Sequence, residues 1–224
     1  MVRIMKTFAR LDALYRDPPL RLTIDSPCVF GSDDHRGDGG PADDNWPNKE
    51  KCEQVKAYYL SRGYTYFFLG DHEDLWQFDE DEIEMIYGKP DPKLIYLGGN
   101  HDAERGWPEA CLLTHQGREY FLCHGHPGDL FSDQLWRVGR WLTRYPWKWA
   151  EEIGIKDPPS PIFRHEDQRK ALCAWANDRE ITCIFGHIHF LEHDGKYWNC
   201  GSRVMPGTVE CIELKADSLK LKRW

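Results

Sequence analysis

Five short apolar runs punctuate the chain, and each stops at polar side chains of the kind that bind metals. The runs are Cys28-Val29-Phe30, Tyr66-Phe67-Phe68-Leu69, Leu94-Ile95-Tyr96-Leu97, Tyr120-Phe121-Leu122-Cys123 and Ile181-Thr182-Cys183-Ile184-Phe185. Runs this short, rich in β-branched and aromatic residues, predict buried strands. After them come Asp33-Asp34-His35, Gly70-Asp71-His72-Glu73-Asp74, Gly99-Asn100-His101-Asp102, Cys123-His124-Gly125-His126 and Gly186-His187-Ile188-His189. Five strands are thus expected to deliver similar chemistry at their carboxyl ends, the edge where open α/β sheets bind ligands.

The other periodicities fill in the frame. Phe8, Leu11, Leu14 and Tyr15 fall at helical spacing before Pro18-Pro19, which predicts an N-terminal arm over 1–26 packed on the domain, with a short strand at Arg21 to Ile24. Gly37 to Pro41 reads as a loop at the mouth of the site. Asn48 is placed to cap a helix running to about Arg62, with Cys52, Val55 and Tyr59 inward. Glu80 to Tyr87 predicts a short acidic helix with a solvated face, and Ala110 to Thr114 with Arg118 to Cys123 a hairpin across Gln116-Gly117. Asp129 to Arg144 predicts a helix with Phe131, Leu135, Val138 and Leu142 on one side and Arg137, Arg140 and Arg144 on the other. Those arginines read either as a solvated face with salt bridges or as a holder of a second phosphate, and the nearby tryptophans as core or lid packing. A stiff Pro158 to Pro161 loop, a helix over Gln168 to Asp178, a hairpin through Asp194-Gly195 and two last strands complete the chain. This order suits two mixed sheets packed face to face with helices outside, an α/β sandwich of four layers (α/β/β/α).

Composition narrows the class. A chain of 224 residues predicts a single domain, 1–224. A net charge of −8 argues against non-specific nucleic-acid binding, which needs a basic face. No apolar run approaches the ~18 residues of a membrane span, and no secretory signal is visible. The eight cysteines contain no CxxC pair, and five of them (Cys28, Cys123, Cys183, Cys200 and Cys211) sit inside or beside predicted strands and read as reduced, packed thiols, so the cytoplasm is the expected location.

The strand-end residues Asp33, His35, Asp71, Asn100, His124, His187 and His189 offer only oxygen and imidazole nitrogen. Such a set suits manganese, iron, zinc or nickel. It is too large for one tetrahedral ion but about right for two ions sharing a carboxylate, the arrangement that clamps both oxygens of a phosphoryl displacement.

The order DxH, GDxxD, GNHD, HGH, GHxH, with Asn199 to Ser202 beyond it, resembles the calcineurin-like metallophosphoesterase family. The resemblance implies two divalent metal ions, Mn2+ foremost. Asp33, His35 and His189 would serve the first, Asn100, His124 and His187 the second, and Asp71 would bridge. It implies a phosphomonoesterase or phosphodiesterase acting on a small or medium substrate through a bridging hydroxide. His101 would face the substrate and assist the leaving group, with Asp102 accepting from its ring N–H. Residues 128–161 fall where the family carries substrate-determining insertions, and His126, Arg137 and Arg140 are candidate substrate contacts. Asp74 is expected to cap the following turn or bond a ligand histidine. Asp34 should point away from the metals, and His72, His115, His165 and His193 should lie at the surface. Gly70 to Trp76 (GDHEDLW) and the HGH segment also look like the UDP-2,3-diacylglucosamine pyrophosphohydrolases, although that branch has Arg where this chain has His101. A pyrophosphohydrolase of a nucleotide- or lipid-linked substrate and a nuclease are the alternatives. A non-catalytic scaffold is disfavoured, since such relatives lose ligands and none is missing here.

Overall fold

The computed structural model describes residues 2–129, 132–133, 135–152 and 162–224. Among these, eleven strands form two mixed sheets. One sheet runs β11 (Ser218–Arg223), β10 (Glu210–Lys215), β2 (Cys28–Gly31), β3 (Thr65–Leu69), β4 (Ile95–Leu97), with β2, β3 and β4 parallel. The other runs β1 (Leu20–Thr23), β5 (Ala110–His115), β6 (Arg118–Cys123), β7 (Thr182–Phe185), β9 (Tyr197–Cys200), β8 (Leu191–Asp194), with β6 parallel to β7.

Strand alternation builds the layers. Phe30, Phe67 and Leu69 meet Leu113, Leu122, Ile184 and Ile212 between the two sheets. The intervening Val29, Tyr66 and Phe68 point the other way, onto Cys52, Val55 and Tyr59 of α2 (Lys49–Leu60). On the far face Phe121, Cys183 and Phe185 pack against Leu11 of α1 (Val2–Arg16) and Leu172 and Trp175 of α6 (Ile162–Arg179). Each large side chain so buried is worth about 1.5–3 kcal/mol. The four layers are therefore α1 and α6, one sheet, the other sheet, and α2. All eight cysteines are free, and none of the described helices is long and apolar enough to cross a membrane.

The arm, the hairpin and the short acidic helix α3 (Glu80–Tyr87) form where the pattern places them. Four details differ. Asn48 does not cap α2: its Nδ2 donates to the Arg203 and Met205 carbonyls at 2.7 Å each, and its Oδ1 accepts from the Gly207 N–H at 2.7 Å, so it clamps the loop before β10. The acids of α3 are not merely solvated, because Glu80 and Glu84 engage Arg105, which also forks onto Glu73. His115 is buried, not at the surface, with its ring nitrogens on the Ile24 and Ala216 carbonyls at 2.8 and 3.1 Å.

The fourth difference is the largest. The segment after His126 runs as α4 (Trp136–Leu142), a wide turn over Thr143–Trp147, and α5 (Lys148–Glu152). Its apolar stripe faces outward, with Leu135, Val138 and Leu142 exposed by 41, 50 and 45 %. Phe131, the Pro158 to Pro161 loop and the His165 side chain lie outside the described residues. The inward face carries the cations. Arg140 pairs with Glu104, Arg144 reaches Asp79 at 2.5 Å, and Lys148 Nζ donates to the Gln77 carbonyl at 3.4 Å. Carboxylates and a carbonyl meet Arg140, Arg144 and Lys148 here, with the Phe78 ring 4.2 Å from Lys148 Nζ, so these cations turn inward while Arg137 stays exposed.

Candidate metal centre

The chain turns sharply at the ends of β2, β3 and β7. Asp33, His35, Asp71, His187 and His189 all adopt positive φ, between 49 and 69°. Non-glycine residues rarely do so, and such conformations persist where surrounding structure enforces them, often at functional sites. Here the enforcement is visible. The Asp33 N–H donates to the Gly70 carbonyl at 3.2 Å, the His35 N–H to the Asp71 carbonyl at 3.0 Å, and the Gly186 N–H to the His124 carbonyl at 2.9 Å. Asn199 Nδ2 holds the Gly186 carbonyl at 2.6 Å. Two glycines permit the close approach: a Cβ at Gly70 would press into the His124 ring, and one at Gly99 would strike the Asp71 carboxylate.

The same framework leaves one oxygen of each carboxylate tied and the other aimed inward. Asp33 Oδ2 accepts from the His187 N–H at 2.9 Å and Asp71 Oδ1 from the His101 N–H at 2.8 Å. Asp33 Oδ1 then lies 3.1 Å from His189 Nε2 and 3.8 Å from His35 Nε2. Asp71 Oδ2 lies 3.0 Å from His124 Nε2 and 3.8 Å from His35 Nε2. His124 is turned by its Nδ1, which donates to the Leu69 carbonyl at 2.7 Å and so presents Nε2 to the centre. Asp33, His35 and His189 form one group of converging ligand atoms, Asp71, His124 and His187 another, and His35, Asp71 and His101 a third.

Whether these residues fit cations is decided by what they lack. Asp33 Oδ1, His35 Nε2, Asn100 Oδ1 and His124 Nε2 are buried and make no well-aligned hydrogen bond, the 3.0 and 3.1 Å approaches above being ion-pair contacts. Leaving such atoms unpaired costs about 1–3 kcal/mol each. Converging oxygen and imidazole atoms of this kind fit divalent cations. The electrostatics of the site point the same way. Burial works against charge on Asp71, but the rings of His124, His101 and His35 hold its carboxyl well below the usual range. Burial, reinforced by the neighbouring His101, drops His35 to about 4.

His101 sits beside this group with a different set of contacts. Its Nδ1 is 2.7 Å from Asp74 Oδ1, its ring stacks on Trp76 at 4.3 Å between centroids, and it meets His35 edge-on at 4.5 Å. Burial opposes its charge, but Asp74 and Asp71 outweigh that and raise it to about 9. The partner of the His101 ring is thus Asp74, not Asp102. Asp102 faces away and accepts from the Gly99 and His72 N–H groups at 2.6 and 2.7 Å, so it ties the third loop to the second. Asp74 also accepts from the Trp76 and Gln77 N–H groups at 3.2 and 3.3 Å. Asp74 thus caps the following turn as expected, but the histidine it bonds is His101 and not one of the seven expected ligands.

Of the remaining candidates, His126 is buried 5.5 Å from the His124 ring, and burial with the His124 charge lowers it to about 4. Arg137 and Arg140 lie on α4, one exposed and one paired with Glu104. His193 is exposed, whereas His72 is buried, with Nδ1 2.9 Å from Asp34. Asp34 turns away from the ligands into a closed ion cluster. It faces Arg203 at 3.2 Å, Arg36 at 3.4 Å and His72, and Tyr66 meets Arg203. Arg203 is a residue that sequence reasoning misses. The available signal is its place directly after Asn199 to Ser202, where a cation at the edge of a buried site calls for a buried acid.

No protein-family description and no curated protein matches the chain. Among solved structures it is similar to a predicted phosphoesterase from Streptococcus pneumoniae TIGR4, at 19% identity and a TM-score of 0.46 over 88% of each chain. It is similar to a single mutant of Vps29 from Entamoeba histolytica, at 16% identity and a TM-score of 0.43 over 88% of this chain and 98% of that one. A mutant cold-active protein tyrosine phosphatase follows at 13% identity and a TM-score of 0.44, over 92% and 82%. At such identities and scores, what those proteins do does not carry over to this chain.

Proposed function

We propose that this chain is a metal-dependent phosphoric ester hydrolase that holds two divalent cations, manganese foremost, with iron, zinc or nickel as the other candidates. The observation that carries the reading is the convergence of Asp33, His35 and His124 with Asp71 and the neighbouring histidines, together with a buried, unpartnered Asn100 Oδ1. Asp33, His35 and His189 would hold one cation and Asn100, His124 and His187 the other, with Asp71 shared. Bound there, the cations would polarise phosphoryl oxygens and make water acidic enough to attack near neutral pH.

The chain's own residues do the rest. His101 gives its second ring nitrogen to the leaving oxygen. Asp74 on Nδ1 orients the ring and favours its charged form, the form that can give a proton. Trp76 fixes the plane of that ring, and the Trp76 and Gln77 N–H groups fix Asp74 in turn. Small or medium phosphomonoesters and phosphodiesters are the expected substrates. The eight unpaired cysteines suit a reducing compartment, and we place the protein in the cytoplasm.

The test is a panel of monoester, diester and pyrophosphate substrates, assayed on chelator-stripped protein reloaded with Mn2+, Fe2+, Zn2+ or Ni2+. Hydrolysis that returns only with metal is expected, and silence across the panel with every ion would contradict the reading. Salt-sensitive cleavage of single-stranded DNA would move it toward a nuclease.

A further inference from the structure

We infer that the segment from Trp136 to Tyr145 carries a second binding site, for a planar aromatic group that bears its own negative charge, as a nucleotide does. The inference rests on the hydrolase reading for its place as the far half of the substrate, but not for the binding itself.

A hollow of about 400 Å3 is lined by Trp136, Arg137, Arg140, Trp141, Arg144 and Tyr145. Among the described residues, each lining residue supplies either a guanidinium or an aromatic ring, and none a carboxylate. Trp141 and Tyr145 are exposed by 58 and 59 %, so the core does not use them, and their rings lie 6.2 Å apart. Arg137 is exposed above the Trp136 ring at 5.4 Å. Guanidinium groups grip oxyanions through a planar fork and stack on rings, and exposed aromatic rings accept a base face to face.

The charges are graded. Arg140 and Arg144 are held from behind by Glu104 and Asp79, which fixes their side chains and offsets two of the three positive charges. Among the described residues no carboxylate pairs with Arg137. The hollow therefore keeps about one net positive charge, which suits a single phosphate on a ring-bearing molecule better than a polyanion. Its anchors also fix its place. Glu104 lies three residues past His101 and Asp79 five past Asp74, so the hollow hangs on the loops that carry the His101–Asp74 pair.

The experiment uses the full chain stripped of metal, with tryptophan fluorescence titrated by adenosine 5′-monophosphate, adenosine, ribose 5-phosphate and dodecyl phosphate. The nucleotide is expected to bind at least about tenfold more tightly than any of the other three, and Arg137→Ala and Trp141→Ala are each expected to weaken it about tenfold. Both side chains are exposed, and circular dichroism checks that the variants fold. Equal binding of ribose 5-phosphate, tighter binding of dodecyl phosphate, or wild-type affinity in either variant would overturn the inference. Hydrolysis of an aryl phosphodiester by the Mn2+-loaded protein is measured alongside. If it proceeds while the nucleotide fails to bind, this inference falls and the hydrolase reading stands. If the nucleotide binds and nothing is hydrolysed, the binding site stands and the hydrolase reading falls.

Discussion

Two buried charged clusters lie side by side beneath the strand ends, one around Asp34 and one around Asp33. Both aspartates are fully buried, and they are neighbours in sequence. Asp34 is answered from within, by Arg203, Arg36 and the His72 ring. Burial opposes its charge, but Arg203 foremost holds its carboxyl far below the usual range. Among the described residues, the ion-pair partners of Asp33 and Asp71 are imidazoles rather than arginine or lysine. The inward nitrogens of two of them, His35 and His124, make no well-aligned hydrogen bond. A buried carboxylate needs a counter-charge. The first cluster carries its own; the second is shaped to receive one from outside. Alternation along the strand end sends Asp33 and Asp34 to opposite sides, and the positive φ of Asp33, His35 and Asp71 steers the ligands inward.

Substitutions on either side break or sharpen that contrast. The largest effect is expected at Asp71→Asn. The shared oxygen loses its charge, and both bound metal and hydrolysis should vanish while the fold persists, since the bare protein also loses the repulsion between Asp33 and Asp71; metal analysis, turnover and thermal unfolding read this together. His101→Ala should keep both metals and lower turnover by roughly 10²–10⁴, the range for an acid catalyst. Loss of metal in that variant would assign His101 to the ligand set instead.

Arg203→Met strikes the other cluster. Removing one partner of a buried ion pair costs about 3–5 kcal/mol, so the urea midpoint should fall well below that of the wild type, and an unchanged midpoint would show that Asp34 is not held as described. A smaller effect is expected at Asp74→Asn, with turnover down about ten- to a hundredfold, the usual cost of losing a group that orients a site residue. Asp74 raises the His101 pKa toward about 9, so without it the basic limb of the pH–rate profile should move to lower pH. Asp102→Asn should leave that limb in place, because Asp102 bonds backbone and not the His101 ring.

The strand ends and their seven candidate ligands are legible in the sequence because a short apolar run closed by a polar motif states both the strand and the place where it stops. The four layers are legible because alternating residues such as Val29 and Phe30 must face different neighbours. Direction inside the turns is not. Whether Asp74 or Asp102 meets His101 depends on how the loops after β3 and β4 fold over one another; Asp102 is the neighbour in sequence, whereas Asp74 lies 27 residues away and is brought in only by that folding. His72 and His115 look like surface residues because nothing nearby in sequence reveals Asp34 or the Ile24 and Ala216 carbonyls as partners. The periodicity of α4 separates its apolar stripe from its arginines, as the structure does, but gives no sign that the stripe faces outward. Amphipathicity fixes which residues share a face and leaves open which face meets the body; Glu104 and Asp79 decide that here.

The contrast between the two clusters is tested most directly by counting metal on the stripped protein by equilibrium dialysis against Mn2+, beside the same measurement on Asp71→Asn and Asp34→Asn. Two ions per chain are expected in the wild type and in Asp34→Asn wherever it folds, with none held in Asp71→Asn. Fewer than two ions at saturation in the wild type, or retention of both by Asp71→Asn, would contradict it.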